Sequence, residues 1–166
     1  MIARYRLLAE RLRVELHSLG EVVLHASEAL SRASRQPDNH DFFIAAAAFD
    51  LHSFYSGLER LLELIATDVD NTRPGGASWH RELLTQMSLG LSEVRPAALS
   101  AETVAALAEY LDFRHVVRHM YTFNLRPDRV TELVSGLPAT FELVRRDLLI
   151  LADFLDGLST ADTESA

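Results

Sequence analysis

The chain has neither cysteine nor lysine, and both absences narrow its chemistry. Without cysteine it forms no disulfide, no thiolate metal site and no cysteine nucleophile. All 16 basic side chains are arginines, a bias for which codon usage is a sufficient reason. The longest apolar run, Phe42 to Phe49, has eight residues, against the roughly 20 that a membrane-spanning helix needs. Nothing near the N-terminus resembles a secretory signal, so we expect a cytoplasmic protein without membrane contact.

The chain is acidic, with a net charge of -8 over 166 residues, which disfavours indiscriminate binding to nucleic acid. Between Tyr110 and Val130, however, four arginines stand against two aspartates, so this window carries +2 and the other residues sum to -10. An acidic protein with one basic segment is better suited to a local phosphate site than to a long duplex-binding surface.

The apolar pattern is helical throughout, without strand alternation or an internal repeat. Spacings of three and four predict a long helix over 2–33, a second ending near 69, a short one over 78–89, a fourth over 101–118 that Ser100 caps, and a last helical region ending near 158. Pro138 is expected to kink or divide this last region. We therefore predict an all-α fold, an antiparallel bundle of four longer helices plus a short one. It forms one domain over 1–158, followed by a disordered tail over 159–166.

Reactive side chains are concentrated between Arg114 and Tyr121, where the chain reads R-H-V-V-R-H-M-Y. Read with gaps, this is R-x-x-x-x-H-x-Y, formed by Arg114, His119 and Tyr121. Arginine binds and neutralises a phosphate, histidine transfers protons near neutral pH, and tyrosine supplies a hydroxyl. These groups are what RNA cleavage without a metal requires, so we take this segment as the candidate site.

In a straight helix, Arg114 and His119 would point away from each other, because five residues turn through about 500°. Their cooperation requires the helix to distort or end near Arg118, and Pro127 downstream is compatible with that. The alternative is structural. Cations in the last turn of a helix stabilise the negative end of its dipole by about 0.3–1 kcal/mol each, and Tyr121 then packs against the bundle. Composition alone leaves both interpretations open.

The motif and two further segments resemble the HepT-like ribonuclease toxins of the HEPN superfamily. The two segments are A-F-D-L-H-S-F-Y-S-G-L-E-R at 48–60 and P-G-G-A-S-W-H-R-E-L-L-T-Q-M at 74–87. The resemblance implies a HEPN-like bundle and a metal-independent endoribonuclease, in which the ribose 2′-hydroxyl attacks the neighbouring phosphate and leaves a 2′,3′-cyclic product.

The resemblance also implies residue roles and partners. His119 would act as general base or acid, and Arg114 would bind the phosphate and stabilise its transition state. Two protomers of a homodimer would form one composite active site on the RNA substrate. An MNT-type nucleotidyltransferase antitoxin would neutralise the toxin and can attach AMP to Tyr121. Arg118 and Arg126, in the same basic segment, are candidate contacts for RNA phosphates, and we expect no metal and no cofactor.

Two other functions remain open. One is a non-catalytic HEPN-like helical bundle that binds RNA, a nucleotide or a partner protein; the other is a dimeric scaffold that only occupies the nucleotidyltransferase. Outside the motif we expect structural roles. His80 with Trp79 anchors the short helix, Glu59 and Arg60 form a solvated or dimer-facing pair, and His52 has no ligand-like partner. The chain has no E-x-x-H or H-E-x-x-H sequence, which disfavours a di-metal or zincin site.

Overall fold

The computed structural model describes residues 2–121 and 124–164. In these ranges the chain forms helices α1 (Ile2–Arg35), α2 (His40–Asp68), α3 (Trp79–Ser88), α4 (Ala101–Val117) and α5 (Pro127–Glu164), with a short 3₁₀ turn at Pro37–Asn39. They contain no strand, so the predicted all-α fold of four longer helices and a short one is confirmed. None of these helices combines the length and the apolar character of a bilayer span.

The core lies where α2 is enclosed by its neighbours. Helix α1 packs along α2 and α5, while α4 contacts α2, α3 and α5. The ring of Phe54 on α2 is fully buried, with its centroid 6.2 Å from those of Tyr110 on α4 and Phe141 on α5, both edge-on. Edge-to-face aromatic pairs add roughly 0.5–1.5 kcal/mol beyond area burial. This aromatic contact therefore holds α4 at a fixed distance from α2.

Helix α5 differs from the prediction at two places. It continues through Pro138 as one helix, so the alternative in which Pro138 divides this region is wrong. On α5, shortly before Pro138, the Leu133 carbonyl accepts a hydrogen bond of 2.8 Å from the Tyr110 hydroxyl of α4. The helix also ends at Glu164 rather than near 158, because residues 159–164 contain neither glycine nor proline to stop it. Of the predicted tail over 159–166, residues 165 and 166 lie outside the described part of the chain.

The start of α4 is fixed by a hydrogen-bonded contact with α5. As predicted, Ser100 caps the helix, its hydroxyl accepting from the Thr103 N–H at 3.2 Å. Asp147 on α5 in turn accepts from the Ser100 N–H at 2.8 Å and from the Thr103 hydroxyl. Burial acts to raise the pKa of Asp147, but hydrogen bonds from Ser100, Thr103 and Arg146 outweigh it and lower the pKa. The first turn of α4 is thus tied to α5 through one ionised carboxylate.

A buried ion pair holds the chain between α3 and α4. Arg95 and Asp70 have no solvent exposure and meet through two nitrogen–oxygen contacts of 2.6 and 2.7 Å. The Arg95 guanidinium also donates to the carbonyls of Leu89 and Pro96, each at 3.0 Å. Bidentate pairs of this kind are strong and directional. This connection, which carries no regular helix, is therefore fixed to the end of α2.

Candidate functional site

Helix α4 ends inside the motif. Its last residue is Val117, and the Arg118 N–H still bonds to the Arg114 carbonyl at 3.2 Å. After that the His119 N–H bonds to the Val116 carbonyl at 3.1 Å, three residues back, which is the tighter spacing of a helix end. The prediction that the helix ends near Arg118 is confirmed. His119 therefore lies beyond the regular helix that would have kept it on the opposite side from Arg114.

Arg114 is directed inward, towards α2. Its side chain is 12% exposed, and its Nε donates to the Ser56 hydroxyl at 3.2 Å. Its Nη2 lies 3.3 Å from Oε1 of Glu59, whose side chain is 5% exposed. The remaining nitrogen, Nη1, is buried and has no hydrogen-bond partner in the described residues. The guanidinium is thus fixed from one side, and some of its five N–H donors remain unused.

Glu59 links the motif to α3. Its second oxygen, Oε2, lies 2.6 Å from Nδ1 of His80, and the His80 ring is stacked on Trp79 with centroids 3.7 Å apart. The interpretation of Glu59 and Arg60 as a solvated or dimer-facing pair is wrong for Glu59, since it is buried, whereas Arg60 is exposed. A buried carboxylate requires a cation or donors, and Arg114 and His80 supply them.

His119 and Tyr121 are at the surface. The His119 ring lies edge-on to that of His115, with centroids 5.7 Å apart. No hydrogen bond or ring contact joins His119 to Arg114 within the described ranges. Tyr121 is 73% exposed, whereas Tyr55 and Tyr110 are buried in the core. Burial, with Glu59 next, raises the pKa of Tyr55, so that phenol stays protonated.

Three of the four arginines of the basic segment are paired with carboxylates. Besides the Arg114–Glu59 pair, Arg126 lies 2.9 Å from Asp128 and Arg129 lies 2.8 Å from Glu132. Arg118 is exposed and forms no ion pair with any carboxylate that the structure describes. Of the two predicted phosphate contacts, Arg118 is thus the more available cation, while Arg126 has a neighbouring anion to exchange for a phosphate.

Two clefts of similar size flank the end of α4. The first, about 390 Å³, lies between α3 and α4 and is lined by His80, His115 and the Arg81–Asp112 ion pair. The second, about 380 Å³, lies between α2 and α4 and is lined by His52 and Arg118 among apolar residues. Burial, followed by the charges of Arg114 and Arg118, lowers the pKa of His52, so this imidazole is neutral at neutral pH. Both clefts border the motif, so it can be approached by a ligand from two sides.

Comparison with known proteins gives one match. A family model described as HepT-like protein matches residues 46–155, a range that contains most of α2, all of α3 and α4, and α5 as far as Leu155. No curated protein and no solved structure matches the chain. The matched range includes the motif as well as Glu59 and His80, whose contacts with it the sequence pattern did not indicate.

Proposed function

We propose that this chain, which belongs to the HepT-like family of the HEPN superfamily, is a metal-independent endoribonuclease of the toxin type. The observation that supports this most is the motif geometry: Glu59 and Ser56 hold Arg114 at the end of α4, and His119 follows directly after the helix. A guanidinium suits a phosphodiester, and the exposed imidazole of His119, five residues further along the chain, suits proton transfer.

The reaction is a transesterification within the RNA backbone. The 2′-oxygen attacks the adjacent phosphorus, the bond from phosphorus to the 5′-oxygen breaks, and the products carry a 2′,3′-cyclic phosphate and a 5′-hydroxyl. One group removes the 2′-hydroxyl proton, and another protonates the leaving oxygen. His119 serves one of these steps, and Arg114 stabilises the charge that accumulates on the phosphate oxygens.

In keeping with the resemblance to the HepT-like toxins, we propose that a homodimer assembles the complete site, with each protomer contributing one motif. Two copies of His119 would then supply a base and an acid for the two proton transfers at one phosphate. Light scattering on the purified protein is expected to give the mass of a dimer. A monomer that cuts RNA at the same rate per chain as the dimer would contradict this part of the proposal.

We further propose that an MNT-type nucleotidyltransferase neutralises the toxin by transferring AMP from ATP to the Tyr121 hydroxyl, with release of pyrophosphate. The high exposure of Tyr121 supports this, because the tyrosines at 55 and 110 are buried. A phosphodiester-linked nucleotide next to Arg118 and His119 would place a bulky anion where the RNA phosphate binds.

A second function is favoured by one observation: Arg114 is nearly buried and already paired with Glu59, and this arrangement also fits a static support for α4. In that case the chain is a non-catalytic HEPN-like bundle that binds RNA, a nucleotide or a partner protein, or a scaffold that only occupies the nucleotidyltransferase.

The two functions differ in what happens to a host that expresses the chain. We expect the wild type to stop growth and degrade cellular RNA, and His119→Ala to do neither while giving an unchanged helical circular dichroism spectrum. His17→Ala is the matched control, since His17 is an exposed histidine of α1. Equal harmlessness of the wild type and both variants would favour the binding module.

A further inference from the structure

The cleft between α2 and the end of α4 has an unusual combination of surfaces. Its apolar lining includes Phe49 on α2 and Val117, Met120 and Leu125 on the other side, while His52 and Arg118 supply its polar groups. Its volume of about 380 Å³ is in the range of roughly 300–1,000 Å³ that small-ligand pockets occupy. A flat apolar group bearing a nearby negative charge would match both surfaces.

Phe49 is the most exposed apolar residue of this lining. Although the residue is 68% exposed, it lies on α2 three residues before the half-buried His52, so both side chains face the same side of the helix. An exposed aromatic side chain contributes little hydrophobic stabilisation to the free protein, because its apolar surface is not buried. Exposed aromatic rings are the surfaces on which single-stranded RNA bases stack.

The two polar side chains of the cleft, His52 and Arg118, offer different kinds of contact to a ligand. His52 is neutral because burial and two nearby guanidinium groups lower its pKa, and a neutral imidazole offers one donor and one acceptor. Its Nδ1 is buried and has no hydrogen-bond partner within the described part of the chain, whereas buried polar atoms normally have one. Arg118 lines the same cleft and provides a cation that no carboxylate of the described residues pairs with.

We propose that this cleft binds one nucleobase of a single-stranded RNA, with Phe49 as the stacking surface, His52 contacting the base edge and Arg118 contacting the adjoining phosphate. The inference rests on the proposed function, because Arg118 lines this cleft and belongs to the same segment as Arg114 and His119, to which that function assigns the RNA backbone. It gives the enzyme a requirement for an unpaired base, since a base within a duplex cannot enter a cleft of this kind.

Binding of short single-stranded oligonucleotides tests this inference without cleavage. The probes are a fluorescent 2′-O-methyl RNA, which lacks the attacking hydroxyl, and an abasic chain of the same length that keeps the phosphates. Phe49→Ala is expected to weaken binding of the base-containing probe about 5- to 150-fold, the range for loss of one stacked base. It should leave the abasic probe unaffected.

Phe42→Ala is the matched control. Phe42 is 77% exposed and lies two turns earlier on the same helix, outside the cleft, so its removal is expected to change binding less than twofold. Equal weakening by both substitutions, or a wild type that binds both probes alike, would overturn the inference. A changed oligomeric state in Phe49→Ala with unchanged affinity would assign the cleft to a second copy of the chain and overturn it as well.

Cleavage of unmodified RNA, measured in parallel, separates this inference from the proposed function. If Phe49→Ala cuts RNA with the KM of the wild type, the base site is refuted while the ribonuclease stands. If the wild type binds the base-containing probe through Phe49 but cuts no RNA, the base site stands and the ribonuclease is refuted.

Discussion

Glu59 and Arg114 hold each other in a contact from which water is almost excluded. The sequence contained a signal for the burial of Glu59. Tyr55, Leu62 and Ala66 are buried on α2, and together with Glu59 they follow the spacing i, i+4, i+7 and i+11 of a single helix face. Glu59 therefore occupies a core position, and a buried carboxylate predicts a partner. The identity of that partner could not be predicted, because Arg114 is 55 residues away and only the packing of α4 on α2 brings it near.

Replacement of Glu59 by Gln should reduce RNA cleavage by up to about 100-fold, because a displacement of about 1 Å in a positioning group can have that effect. The substitution keeps the size of the side chain and removes the charge that orients Arg114. Glu63→Gln is the control, since Glu63 is on the same helix and pairs with Arg73 at 3.2 Å, away from the motif. The measurement is kcat/KM at a temperature at which both variants are folded by circular dichroism.

A double variant separates positioning from a general loss of stability. If Glu59 acts through Arg114, Glu59→Gln combined with Arg114→Lys should be no slower than Arg114→Lys alone, because residues acting as a unit are not additive. Additive losses would show that Glu59 does not act through Arg114, and a Glu59→Gln enzyme as active as Glu63→Gln would show that Glu59 has no part in the reaction.

A separate prediction concerns the modification of Tyr121. Coexpression with a cognate MNT-type nucleotidyltransferase should increase the intact mass of the chain by one or more AMP units. The increase should be absent from Tyr121→Phe, because the acceptor hydroxyl is missing. Neutralised toxicity without any mass increase would mean that the antitoxin inhibits by binding alone.

The helices α4 and α5 show what local pattern can and cannot predict. Ser100 was recognisable as the cap of α4, and the end of α4 near Arg118 followed from the loop signals downstream. Pro138 was a misleading signal, because packing of α5 along α1 and the aromatic core preserves a helix that a proline by itself would interrupt. Tertiary contacts outweighed propensity at that position.

The contact between α4 and α5 predicts a pH-dependent stability. Asp147→Asn should lower the free energy of unfolding at neutral pH by about 1.5–3 kcal/mol, the range for hydrogen bonds to a charged group. The pKa of Asp147 is depressed in the folded state, so its contribution is complete above the ordinary carboxyl pKa and is lost as the pH falls through the lower folded pKa. Denaturant unfolding of wild type and variant from neutral pH downwards measures this.

The control for this series is Asp153→Asn on the same helix, whose exposed side chain pairs with Arg13 at 3.0 Å. A surface pair of this kind contributes about 0–1 kcal/mol, so its replacement should have little effect at any pH. If Asp147→Asn lowers the free energy of unfolding by the same amount down to strongly acidic pH, this would contradict the assignment of an ionised carboxylate at the start of α4.

For the molecule as a whole, the fold could be predicted and the charge distribution could not. Helical periodicity runs through almost every segment, and the apolar stripe of each helix has to be buried against other helices, as it is in a bundle. Charge counting along the sequence, in contrast, predicted a basic segment in which three of the four arginines are paired with carboxylates. The pairs of Arg126 with Asp128 and of Arg129 with Glu132 are local in sequence, whereas the pair of Arg114 with Glu59 depends on the packing of α4 on α2, about which a linear window carries no information.

The central claim is that Arg114 and His119 act on one RNA phosphodiester. Its most direct test is incubation of the purified wild type, His119→Ala, Arg114→Lys and the His17→Ala control with a defined single-stranded RNA in the presence of a chelator, followed by analysis of the product ends.

We predict that the wild type and His17→Ala leave 2′,3′-cyclic phosphate ends, that a 2′-O-methyl RNA stays intact, and that His119→Ala is about 10²–10⁴-fold slower, the usual contribution of a general acid or base. Cleavage by His119→Ala at the wild-type rate, or intact RNA with every protein, would contradict the account.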